Sequence, residues 1–91
     1  MADVLSRNLN IGQAALTTAS STIVAARPGR RRVTVKNMDA SIVITINSGI
    51  AAATGTGFPI AAGATLTLDT SAVITAIAAS GTPSVAYIEE F

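Results

Sequence analysis

Few residues in this chain could carry out chemistry. Nucleophile-and-base catalysis usually recruits His or Cys, and the chain has neither. With Trp also missing, the composition excludes most zinc sites, thiol chemistry, disulfides, haem ligation by His or Cys, and any Ser-His-Asp triad. The acids Asp3, Asp39, Asp69, Glu89 and Glu90 are scattered. Hydrolysis by two carboxylates needs a pair roughly 5–10 Å apart across a sugar-sized cleft, which a domain of 91 residues rarely builds. Glu89 and Glu90 are neighbours on one strand and point to opposite faces. The expectation is that they solvate the C-terminal end, and that Asp39 and Asp69 serve turns. Gly55-Thr56-Gly57 lacks the following helix and the Lys of a phosphate-cradling loop, since no basic residue follows Lys36. The chain is therefore expected to be no enzyme and to hold no cofactor or metal.

Arg27, Arg30, Arg31 and Arg32 form the one real charge cluster. Three readings are open: a solvated turn, a contact to an acidic protein partner through the planar multi-donor guanidinium, and a nucleic-acid contact. Nucleic-acid binders usually add stacking aromatics or a longer basic surface, and no aromatic lies nearby in sequence, so nucleic acid is not expected. The formal charge is only +1, and 12% of residues are charged, about half the usual share. Such a surface is rich in Thr and Ser, or is covered by another chain. Residues 1–7 lack the basic stretch leading into an apolar run that marks a secretion signal. The uncharged stretches 40–68 and 70–88 are broken by Gly, Pro and alternating Thr or Ser, so neither reads as a membrane span.

What could position these groups is a set of short strands. Ala, Thr and Ser fill 38 of the 91 positions, and the aromatics are only Phe58, Tyr87 and Phe91. Residues 1–13 show no clear period and are read as an extended N-terminal arm, ahead of one β domain over 14–91; Leu5, Leu9 and Ile11 would pack it onto something. β-branched runs then follow one another: a weak strand at 14–19, then 22–26, 31–37, 41–47, 64–68, 72–79 and 84–89. Pro28-Gly29 suits a type II turn. Val33 and Val35 share one face, as do Ile42, Ile44 and Ile46. Residues 48–63 form a long loop with room for a short edge strand, and Phe58-Pro59 is its expected hydrophobic plug. No amphipathic helix is visible. The prediction is an all-β fold: a small antiparallel β-sandwich, or partly closed barrel, of about seven short strands.

The second half carries a recurring grammar. A strand ends in Asn47-x-Gly49. A loop follows with Thr56-Gly57-Phe58-Pro59, Ala61 and Gly63, then a strand with Leu66, Leu68 and Asp69, a hairpin over 76–82, and a last strand with Val85 and Glu89. Over residues 31–91 this resembles the small β-structured accessory proteins of tailed-bacteriophage virions, of the capsid decoration (cement) type. The resemblance implies a non-enzymatic virion protein on the capsid surface that bridges neighbouring major-capsid subunits or another virion protein. It implies a homo-oligomer, with a trimer favoured, and neither nucleic acid nor membrane as partner. The predicted partner-contacting residues are Leu5, Leu9, Ile11, Arg27, Arg30, Arg31, Arg32 and Phe58. The alternative is a tail or head-fibre surface module, carbohydrate-binding if Phe58, Tyr87 or Phe91 offers a platform for a sugar ring.

Overall fold

The computed structural model describes residues 9–53 and 56–91. Within them the chain forms eight antiparallel strands and no helix. They are β1 (Leu9–Ala15), β2 (Ser21–Val24), β3 (Arg32–Asn37), β4 (Ile44–Ser48), β5 (Phe58–Ile60), β6 (Thr65–Leu68), β7 (Ile74–Ala78) and β8 (Ser84–Glu90). One sheet runs β1-β8-β3-β6 and the other β2-β7-β4-β5. The two pack face to face as a small sandwich, which bears out the all-β class; the strand count is eight rather than seven.

The core follows from alternation. Val33, Val35 and Val85 point inward from the first sheet, and Ile44, Ile46, Ile74, Ala76 and Ala78 from the second. Leu16, on the crossing from β1 to β2, fills the space between them. The core has no fully buried aromatic, so its cohesion comes from many small branched side chains that fit a pleated surface. The Pro28-Gly29 turn forms as expected: Gly29 takes φ +89° and the Arg30 N–H donates to the Arg27 carbonyl at 3.1 Å, closing a type II turn.

The first residues differ from the expectation. Leu9–Ala15 is no free arm but an edge strand, paired with β8 from Leu9↔Glu90 to Ala15↔Ser84. The boundary drawn between residues 13 and 14 thus falls inside β1, and the weak strand expected at 14–19 is only the end of that strand. Leu5 lies outside the described residues. The plug is also different. Phe58 is 57% exposed, and Ile60 is the β5 residue that enters the core. The rest of the long loop has another task. The Thr75 hydroxyl donates to the Ile50 carbonyl at 2.6 Å, the Ala52 N–H donates to the Ser20 hydroxyl at 3.0 Å, and a methyl built on Gly57 would sit 2.8 Å from Cγ2 of Thr45. The loop lies over the outer face of the second sheet, which explains why Thr45 and Thr75 are buried although they point away from the core.

Asn37 ties the two sheets at one end of the sandwich. Its side-chain amide donates to the Ile42 carbonyl (2.8 Å) and the Ile60 carbonyl (3.0 Å), and its Oδ1 accepts the Asp39 N–H at 3.0 Å. Asp39 in turn accepts the N–H groups of Ser41 and Ile42, so it serves a turn as expected. Asn37→Ala strands buried carbonyls, each of which costs about 1–3 kcal/mol when left unpaired. Urea unfolding of Asn37→Ala should show a loss of about 2–4 kcal/mol; a loss below about half a kcal/mol, the size of a bland surface change, would mean that Asn37 does not hold the sheets together.

Candidate interaction surface

The arginine cluster divides into an inward and an outward part. Arg30 is 3% exposed and Glu89 is fully buried. Nη1 of Arg30 donates to Oε2 of Glu89 at 2.9 Å and to the Ala25 carbonyl at 2.9 Å, Nε donates to the Thr70 carbonyl at 2.9 Å, and Nη2 donates to the Ala72 carbonyl. Arg27 Nε adds a contact to the same carboxylate oxygen at 3.0 Å, and the Asn10 amide donates to Oε1 at 2.6 Å. Arg30 is therefore a fold residue, and its guanidinium is not free to touch a partner. Glu89 does not solvate the C-terminal end; it is the anion that this end of the sandwich closes around. A strand period of two sends Glu89 inward beside Val85 and Tyr87, and Arg30 follows the type II turn in from the other side.

Burial alone would push the Glu89 carboxyl up. The hydrogen bonds from Asn10 and Arg30, with the charges of Arg27 and Arg30, outweigh that and hold it below the ordinary carboxylate range. The arrangement binds a proton poorly, and the carboxylate is buried out of reach of a substrate. Among the described residues no group of three or more acidic side chains could hold a metal ion.

What faces outward is a surface. On the outer face of the first sheet the strand registers place Ile11, Ile88, Thr34 and Thr67 in one row, and Gln13, Ala86, Lys36 and Thr65 in the next. Ile11 is 69% exposed, Leu9 56% and Ile88 40%. Ile11 and Ile88, together with Thr34, Lys36 and Thr65, border a shallow, mostly apolar groove of about 270 Å³; Leu9 lies on the same outer face, opposite Glu90. At the end of the same face, Arg31, Arg32, Asp69 and Glu90 ring a polar recess of about 240 Å³; there Nε of Arg32 donates to Oδ1 of Asp69 at 3.0 Å.

The structure thus brings Leu9, Ile11, Arg31 and Arg32 onto one face, puts Arg27 at its end, turns Arg30 inside, and leaves Phe58 on the far edge. Phe58 there lines an apolar slot of about 380 Å³ between the sheets with Ile46, Leu66 and Leu68. Ile88 was not singled out from sequence, although alternation with Val85 and Tyr87 already placed it on the outer face. Ile50, 65% exposed, carried no sequence signal beyond its place in a loop.

No described protein family and no curated protein matches the chain. In fold the chain is similar to the crystal structure of protein NMB1881 from Neisseria meningitidis, with a TM-score of 0.61 and 10% identity over 91% of this chain and 74% of that chain. It is also similar to a chain from Bacillus endospore appendages, described as forming a novel family of disulfide-linked pili, with a TM-score of 0.53 and 16% identity over 93% of this chain and 85% of that chain. At these identities the likeness is one of fold.

Glu89 is expected to govern acid sensitivity. Its folded pKa lies below the unfolded value of about 4.3, so its contribution is full above that pH and is lost as pH falls through the folded value. Glu89→Gln leaves Arg30 buried without its counter-charge and should cost about 3–5 kcal/mol. Chemical unfolding followed between neutral and acid pH should show a shallower pH slope in Glu89→Gln than in the parent; equal slopes would show that another carboxylate sets the acid limit.

Proposed function

We infer that the chain is a non-enzymatic structural protein of a bacteriophage virion, one that decorates the capsid surface by bridging neighbouring major-capsid subunits. The observation that carries this reading is the unlike treatment of the two outer faces. The chain lays its own loop over Thr45 and Thr75 on the second sheet and leaves Leu9, Ile11 and Ile88 bare on the first. Bare contiguous apolar surface rimmed by polar residues marks a site of contact with another molecule. The reading is supported by the sequence grammar of residues 31–91 and by the use of the buried carboxylate as a lock rather than a reagent. Arg31, Arg32 and Lys36 rim the patch and are suited to acidic groups on a neighbouring protein. Many weak contacts repeated over a lattice give avidity without a large interface per copy.

A second reading is a subunit of a fibre or appendage. The fold likeness to a pilus-forming chain favours it. This chain has no Cys, so it would contribute no disulfide to such an assembly.

Co-sedimentation with capsids that lack the protein tests the first reading. The wild-type chain should pellet with them. Ile88→Asp should weaken attachment by about tenfold or more, which corresponds to about 1.4 kcal/mol, while the chain stays folded with a stability loss of about 1 kcal/mol, the span of strand preferences. Attachment unchanged by Ile88→Asp would remove this face from the account, and no attachment by the wild type would remove the decoration reading itself.

A further inference from the structure

We propose that the free edge of β1 pairs with β1 of a second copy, antiparallel about a two-fold axis, joining the two outer sheets into one continuous sheet. This rests on the reading of the chain as an adhesive structural module and names one of its partners.

The backbone shows which groups are free. The Leu16 N–H donates to the Pro83 carbonyl, and the Met38 N–H donates to the Ser84 carbonyl. In an antiparallel ladder, hydrogen-bonded and non-bonded pairs alternate. With the observed registers, Asn10, Gly12 and Ala14 bond to β8, while Ser84, Ala86, Ile88 and Glu90 bond to β3. The N–H and C=O groups of Leu9, Ile11, Gln13 and Ala15 therefore point away from the sheet, and no described residue pairs with this edge. Their side chains are those on the outer face, so the unpaired backbone and the exposed apolar groups belong to the same residues.

The other edges are defended. β5 has three residues and contains Pro59. β2 has four, and its register shifts between Thr22 and Val24. β6 has four. Shortness, Pro and bulges are the usual protections of a sheet edge, as are charged side chains. β1 has seven residues, an unbroken register, no Pro and no charge.

A second copy is the occupant that fits. Two-fold pairing sets the strand against itself, so a charge near its centre would lie close to its own copy across the axis; β1 carries none. A charged partner strand would find nothing on β1 to recognise. In the register centred on Gly12, Leu9 faces Ala15 of the second copy and Ile11 faces its Gln13. Each free residue then meets a free residue. The two Ile11 side chains become diagonal neighbours roughly 7–8 Å apart. With Ile88 beside each, the two apolar patches merge into one stripe. The product is a dimer, not the trimer that the resemblance implies.

Analytical ultracentrifugation of the full chain over a range of concentrations should show a monomer–dimer equilibrium. Ile11→Pro removes an outward N–H that β8 does not use, and Pro is tolerated on edge strands for that reason. Ile11→Lys sets two charges across the axis. Both should raise the dimer dissociation constant by about tenfold or more, the equivalent of at least about 1.4 kcal/mol, and the Lys variant decides the matter if the Pro variant does not fold. In hydrogen exchange of the wild type, the amides of Ile11, Gln13 and Ala15 should be protected in the dimer and lose protection on dilution, while Gly12 and Ala14 stay protected throughout. A monomer at every concentration, a trimer, or a dimer that the Lys variant leaves unchanged would overturn the proposal. An intact dimer that does not bind capsids would remove the decoration reading and leave the edge pairing standing; a monomer that still binds capsids would do the reverse.

Discussion

Six basic and five acidic residues are all the charge this chain has, and among the described residues one of each is buried. The Arg30–Glu89 pair gathers the segment around Ala25, the connection from Thr70 to Ala72, and strand β8 at one point. Through Asn10 the same carboxylate also holds β1. Buried ion pairs add little to stability over a well-packed apolar alternative, but removing one partner is severe because the other is left unpaired. The pair therefore fixes geometry more than it adds strength. The Asn10 contact adds a side-chain tie to the ladder that already joins β1 to β8.

From that fixed end the two faces of the sandwich diverge. On the outside of the second sheet the loop after β4 lies over Thr45 and Thr75: the Ile50 carbonyl accepts from the Thr75 hydroxyl and Gly57 sits against Thr45. The first sheet has no such cover among the described residues. A domain this small buries only about 60–65% of the surface its unfolded chain exposes, so further burial against another chain is a natural source of stability. Sparse charge removes the usual barrier to close contact between copies. Adhesion, in this account, follows from how the chain distributes its one covering loop.

Much of the fold was legible because it obeys the strand period. Val33 and Val35, Ile44 and Ile46, and Leu66 and Leu68 all face the expected way, and Pro28-Gly29 makes the expected turn. β1 was not legible, for a physical reason. Its apolar residues Leu9 and Ile11 face outward, while Asn10 and Gly12 face in. Alternation puts Gly12 inward against the Tyr87 ring, where only Gly fits: a methyl there would stand 2.6 Å from Cζ of Tyr87. A pattern inverted in this way reads as no pattern. The inward turn of Arg30 and Glu89 was hidden too. Each was a charged residue beside others of its kind, and the partner that makes burial tolerable lies 59 positions away. Of the candidate surface, sequence found Leu9, Ile11 and the outer arginines, and missed Ile88, which joins the patch only because β8 lies between β1 and β3.

The central claim is that the outer face of the first sheet works by contact with another protein. The most direct measurement places a photo-crosslinking residue at position 88 in assembled particles, with position 80, in the exposed turn after β7, as the control. The account predicts a covalent product between position 88 and a second protein chain, and little or none from position 80. If position 88 gave no product while the chain ran at its own mass, or if position 80 gave the product instead, the account would be contradicted.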